Sequence, residues 1–303
     1  MKKIIRFNKF FPAAFIISSL IIIAGIVSLC TKGLNWGLEF KPGQNIQVAI
    51  SETQTSADEL ASVLKAAGIS AEVKEAGSSF QIRAGASDNA ESQITQALET
   101  KFGQDKVVVE QSQSISAQFS SSLIKSSIIL VLATLVLIFI YCVIRFEWDF
   151  ALASVIAIIH DALIMIAFLS FSGLEFTTTS IAAILTIIGY SINATVVILD
   201  RVRSDLKTSD TEDFTQIINR ALTGTLSRSI ITTVTTLFAV LSLVFYTTGD
   251  IRNFAIALVV GLISGCYSSI YIASGFIDFV RKHKKLGKAS SKAKIIKLEE
   301  NNL

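Results

Sequence analysis

The chain has almost none of the residues that enzymes build catalytic centres from. Only two histidines, His160 and His283, occur in 303 residues. There is no HExxH pair, Gly-rich phosphate loop or Ser/His/Asp set, so no enzymatic activity, cofactor or metal is expected. Its three cysteines, Cys30, Cys142 and Cys266, lie in or beside apolar runs. An odd, scattered set gives no disulfide framework or metal site, and buried Cys behaves as a small hydrophobe. Charge is scarce too: 17% of residues against roughly 25% in soluble domains. The net charge of +3 sits in short flanks and not in one patch, so no nucleic-acid partner is expected.

What the chain does have is apolar length. Hydrophobic residues make up 51% of it, and the mean hydropathy is +0.59. A bilayer core needs about 20 mostly apolar residues per helix, and such runs fall at 10–30, 123–144, 150–171, 177–199, 226–247 and 253–280. Six spans put both termini on one side. Lysine and arginine collect on cytoplasmic flanks, and here they occur as Lys2, Lys3, Arg6 and Lys9 in segment 1–9, as Arg145, and as Arg201, Arg203, Lys207 and Arg220 in loop 200–225. The tail 281–303 is basic from Arg281 through Lys297, suited to anionic membrane lipid. The expected placement is therefore a multi-pass protein of the inner (cytoplasmic) membrane with both termini cytoplasmic. The first run is longer than a signal-peptide core, and bulky Leu29 before Cys30 argues against lipoprotein processing. We read it as an uncleaved anchor.

Between the first two spans, residues 31–122 turn polar. Ile46, Val48 and Ile50 alternate as a half-buried strand, and Ser56 caps a helix with Leu60, Val63 and Leu64 inward, stopping at Gly68. Strands over 69–75 and 79–83, a helix over 88–102 and a last strand over 106–110 complete a βαββαβ order. The expected fold is an all-α polytopic bundle of six transmembrane helices. One small α+β, ferredoxin-like domain is inserted outside the cytoplasm between the first and second helices.

Ionisable groups inside a span are costly and mark functional candidates. His160 and Asp161 lie deepest, either as proton carriers or as partners that satisfy each other and nearby hydroxyls. Arg228 precedes Thr232, Thr235 and Thr236 on roughly one helix face, either as a functional group or as an interface anchor. Gly189, Tyr190, Ser191 and Asn193 make a polar stretch in the fourth span that must face protein or water. Gly189, Gly261 and Gly265 are expected to let helices approach closely.

Taken together, these motifs carry a resemblance. Arg145-Phe146-Glu147-Trp148, His160-Asp161, Gly189-Tyr190-Ser191-Ile192-Asn193, Asp200-Arg201-Val202-Arg203, Leu226-Ser227-Arg228 and Gly265-Cys266-Tyr267-Ser268-Ser269 resemble the SecF family in order and spacing. Gly37-Leu38-Glu39-Phe40 is similar to its glycine-acid-phenylalanine signature just outside the first span. The resemblance implies a member of the RND superfamily that pairs with SecD, docks on the SecYEG channel and draws an unfolded preprotein outward after SecA has started it, with YajC as a further partner. It also implies coupling to proton flow through carboxylates and an arginine between two bundles, Arg228 matching that arginine. Two features depart from the family. Glu39 stands where Asp is usual, followed by Lys41-Pro42, and Ala194 stands where the family has the Asp associated with proton transfer. Three readings follow: a translocation subunit, a structural subunit without its own relay, or an RND-type small-molecule exporter.

Overall fold

The computed structural model describes residues 4–51, 55–85, 89–208 and 213–282. Six of its helices are long and apolar enough to cross a membrane. They are α1 (Phe11–Thr31), α4 (Ala117–Arg145), α5 (Trp148–Ser172), α6 (Thr178–Thr208), α7 (Phe214–Tyr246) and α8 (Gly249–Tyr267). The last continues through a π-turn, Ser268–Ala273, to Lys282. Local chemistry sets several ends. Pro12 occupies the first turn of α1, where its missing N–H is no loss. Ser116 Oγ accepts the Phe119 N–H at 3.1 Å to cap α4. Gly173, at φ +67°, takes the left-handed position that closes α5.

The helices overrun the expected spans. Residues 200–225, expected to form a loop, are largely helical: α6 runs on to Thr208 and α7 has begun by Phe214. The apolar runs report only the part of a helix that lipid must cover, and these ends are held instead by ion pairs. Arg145 Nη2 meets Asp200 Oδ1 at 2.9 Å, and Arg201 Nε meets Asp205 Oδ1 at 3.2 Å. Arg281 Nε donates to Asp149 at 2.8 Å while its guanidinium lies over the Phe150 and Phe214 rings. Most of the basic tail, from His283 onward, lies outside the described residues.

Packing ranks the helices. Windows of α5 and α8 are 50% and 61% buried, whereas the α4 window is only 6% buried, so α4 forms an outer wall. Glycines bring the inner helices together. A Cβ on Gly261 would lie 2.4 Å from Ile187 Cγ1, one on Gly265 3.2 Å from Ser191 Cβ, and one on Gly25 2.3 Å from Ala167 Cβ. Gly189 breaks the expectation placed on it: an added Cβ there meets nothing within 4 Å, and the residue faces outward.

Residues 43–115 form the α+β unit. Its elements are β2 (Gly43–Ile50), α2 (Ala57–Ala66), β3 (Ala71–Ala76), β4 (Ser79–Ala84), α3 (Ala90–Phe102) and β5 (Val107–Ile115). The antiparallel sheet runs in the order β3-β4-β2-β5. Ile46, Val48, Ile82, Leu60, Leu64, Ile94 and Leu98 form its core. A bulge at Gln47/Val48 shifts the pairing with β5. One unmatched residue reverses which face the side chains take: Val107 and Val109 pack on the core, whereas Gln111 and Gln113 face away. The open, amide-rich face of the sheet covers a cleft of about 190 Å³ against Glu39, Glu175 and Asp250 at one end of the bundle. A short parallel pair, β1 (Asn35–Trp36) and β6 (Glu175–Phe176), stitches the exits of α1 and α5 together beside it.

Candidate functional site

Two polar sites stand out, one sealed within the bundle and one turned outward. His160 and Asp161 are neighbours in the middle of α5. At 3.6 residues per turn they point in different directions, which lets one dipeptide engage three other helices. Asp161 is fully buried. Its Oδ2 accepts the Ser191 hydroxyl of α6 at 2.6 Å and the Ser268 hydroxyl at 2.7 Å; its Oδ1 accepts Ser264 of α8 at 2.7 Å. The His160 Nδ1 lies 3.1 Å from Oδ1, and its Nε2 lies 2.9 Å from Ser18 Oγ on α1. Ser18 Oγ is in turn 3.1 Å from Tyr267 Oη, which donates to the Ala14 carbonyl at 2.8 Å. One link further along, Thr195 Oγ1 and Ser269 Oγ join α6 to α8 at 2.8 Å.

The chain of hydroxyls fixes where protons sit. A carbonyl can only accept, so the single Tyr267 proton goes to Ala14, and Tyr267 must accept from Ser18. Ser18 has then used its proton and accepts from His160, so Nε2 carries hydrogen. The remaining Nδ1···Oδ1 contact needs one shared proton, held either by an imidazolium facing a carboxylate or by an imidazole facing a carboxylic acid. Either way the pair is neutral overall, the inexpensive way to keep two titratable groups inside a membrane. The π-turn in α8 lies where this network is densest, as π-turns often do at functional positions.

The outward site belongs to α6 and α7. Asn193 and Arg228 are both exposed. Neither side chain has a hydrogen-bond or ion-pair partner among the described residues, and the two helices are tied beside them by Tyr190 Oη donating to Thr233 Oγ1 at 3.2 Å. Counting 1.5 Å per residue from the helix ends beside the α+β unit puts Asn193 roughly 22 Å and Arg228 roughly 27 Å down, inside a hydrocarbon core of about 30 Å. Gly189 shares this face, and Ala194 next to Asn193 is half-buried.

The remaining signature residues have other positions. Gly37 leaves room for Thr177: a Cβ there would come within 2.7 Å of its Cγ2, and the Gly37 N–H donates to the Phe176 carbonyl at 2.9 Å. Glu39 receives the Thr178 N–H at 2.8 Å and the Thr178 hydroxyl at 3.0 Å. A carboxylate at a helix N-terminus is favourable, so the signature pins the exit of α1 to the start of α6. Phe40 is buried in an aromatic cluster with Trp36 and Phe176. Asp200 and Arg201 lie in the ion-pair cluster at the opposite end, far along α6 from Glu39. Reading the sequence singled out Asp161 and His160 but not Ser18, Ser264 or Tyr267 as their partners. Ser18, a hydroxyl in the middle of an apolar run, was the available signal.

Six apolar helices around a buried polar node, with an α+β unit on one end, define a polytopic membrane protein of a transport type. The family described as "Protein export membrane protein SecD/SecF, C-terminal" matches residues 94–283, and the "SecD/SecF GG Motif" matches 27–54. The protein translocase subunit SecF of Borreliella burgdorferi is 34% identical over 289 residues, covering 90% of this chain and 96% of that one. That of Treponema pallidum is 47% identical over 197 residues, covering 65% of this chain but only 47% of the relative. The crystal structure of SecDF, a translocon-associated membrane protein from Thermus thermophilus, superposes with a TM-score of 0.84 at 29% identity. It aligns with 93% of this chain, which spans only 39% of the SecDF chain. This chain belongs to the SecD/SecF protein-export family, on its SecF side.

Proposed function

We propose that this protein is the SecF half of a SecD–SecF pair that uses the proton-motive force to promote late steps of preprotein passage through SecYEG. On this reading the bundle sits in the inner membrane with both termini cytoplasmic. The ferredoxin-like unit stands outside, where it meets the emerging chain. The observation that carries the pairing is the outward face of α6 and α7. Asn193 and Arg228 lie at membrane depth without an internal partner, and lipid cannot satisfy them. A second bundle offering a carboxylate to Arg228 satisfies both. SecD is the partner that the family supplies, and the likeness to one half-length region of SecDF supports it.

His160 and Asp161 act in this scheme from inside, holding α1, α5, α6 and α8 as one body that can move against the partner. One proton crossing 100 mV yields about 2.3 kcal/mol, a bias of roughly 50-fold on a two-state equilibrium. Ala194 favours a second reading, a subunit that holds SecD and the channel together without a relay of its own. The test is an Arg228→Met variant in cells depleted of the native chain. Accumulated secretory precursors with normal insertion support coupling at Arg228. Normal precursor processing with altered drug sensitivity points instead to small-molecule export.

A further inference from the structure

Two adjoining cavities lie where the chain enters the bundle. The first, about 520 Å³, is a groove between the start of α1 and the end of α8, floored by Phe11, Phe15, Phe276 and Phe279 and opened by Gly275. The second, about 510 Å³, is polar and lies between the residues before α1 and the start of α7. Arg6, Lys9, Asp213 and Gln216 line it. Asn8 is a wall of both cavities. Its position is fixed: the Asn8 N–H donates to Asn219 Oδ1 at 3.1 Å, and Asn219 Nδ2 donates to Asn8 Oδ1 at 2.9 Å. The partition between oily groove and polar pocket is therefore built into the fold.

Charge decides what fits. Arg6 and Lys9 are exposed and have no side-chain partner among the described residues, against one carboxylate, Asp213. Lys282, on the rim of the groove, is already engaged by Asp278 at 2.7 Å, which leaves the net positive end in the polar pocket. The apolar end lies beside membrane-spanning segments, and the basic end lies just before α1 begins, at headgroup level.

We infer that these cavities together form a site for one anionic phospholipid, with an acyl chain in the phenylalanine groove and the phosphodiester between Arg6 and Lys9. Each basic residue near the headgroup plane adds attraction to an anionic lipid. The groove contributes by burying methylenes, which a free phosphate cannot exploit. This site is distinct from the basic tail, which draws lipid by charge alone.

The test uses the full chain, purified in detergent, stripped of lipid and supplied with phosphatidylglycerol or phosphatidylcholine, with retention read by native mass spectrometry. The intact chain should retain phosphatidylglycerol on the order of tenfold better than phosphatidylcholine. Arg6→Gln with Lys9→Gln should remove most of that preference, whereas Lys125→Gln, on α4 and away from both cavities, should leave it. Phosphatidylglycerol with a photoreactive acyl chain should label peptides carrying Phe15 and Phe279. Equal retention of the two lipids, an unchanged preference in the double variant, equal labelling of exposed α4, or displacement by millimolar inorganic phosphate would each overturn the site. None of these readouts depends on export, so the site can fail while the proposed function stands, and the reverse.

Discussion

The buried node at Asp161 and the outward face at Arg228 use polar groups in opposite ways. Every donor and acceptor around Asp161 is matched within the chain, by Ser191, Ser264, Ser268 and His160, whereas Asn193 and Arg228 present theirs to whatever lies beside the bundle. A polar residue in a span therefore has two physical uses, and satisfaction separates them. Matched groups specify how one bundle packs; unmatched groups specify what it must pack against.

The strongest test of that contrast is to empty the node. Asp161→Ala leaves three hydroxyls and an imidazole facing a cavity, and breaking such a buried pair costs about 3–5 kcal/mol. The chain should lose most of its folded yield, measured by fluorescence-detected size exclusion. Arg228→Met should do the reverse: normal yield and melting, but strongly impaired processing of secretory precursors. Arg228→Lys should recover less than half, because a point charge replaces a planar fork able to hold two acceptors. Equal function of Lys and Arg would make the residue an interface anchor and collapse the contrast.

Smaller effects sharpen it. Gly261→Leu forces a side chain into Ile187, and overpacking of that kind costs about 1–3 kcal/mol; Gly189→Leu, into open space, should leave melting unchanged while weakening association with the partner. Glu39→Gln removes the charge at the start of α6 and should lower stability by about 0.3–1 kcal/mol, read as a shift in thermal unfolding.

The smallest effect concerns how the α+β unit sits on the bundle. Lys74 of β3 reaches Glu175 of β6 and also pairs with Glu72 at 3.2 Å. Burial alone would lower the Lys74 ammonium, but Glu175 and Glu72 outweigh it and hold its pKa above the usual lysine value. Burial alone would raise Glu72, but Lys74, Lys41 and Arg83 hold it below the usual carboxylate value. The lysine contribution is complete below its ordinary value near 10.4 and lost as pH climbs through the raised one. That of Glu72 is complete above its ordinary value near 4.3 and lost as pH falls through the lowered one. Docking, read by protease protection of the β3 region, should be flat between those limits and weaken at both ends. Lys74→Met should weaken it throughout.

How much of this was legible depended on whether a pattern is local. The strands around Ile46, Val48 and Ile82 follow from alternation, and the helix after Ser56 follows from its cap, with the Ser56 hydroxyl accepting the Glu59 N–H at 3.3 Å. The last strand was expected to end at 110 but runs to Ile115, because beyond the bulge the Gln-Ser alternation has no apolar member to mark a face. The helical ends over 200–225 were hidden because ion pairs between distant residues, such as Arg145 with Asp200, replace the apolar signal there. His160 and Asp161 were conspicuous as charges in a span. Their partners were not, since serine gains its meaning only when three helices converge.

The π-turn at Ser268–Ala273 holds one residue more than a regular turn would need. Deleting one residue there would restore ordinary winding and rotate everything downstream by about 100°. Asp278 would leave Thr215, whose hydroxyl it now accepts at 2.8 Å, and Arg281 would swing away from Asp149. At this point of the chain the number of residues is itself a structural requirement, and substitution is tolerated where insertion or deletion is not.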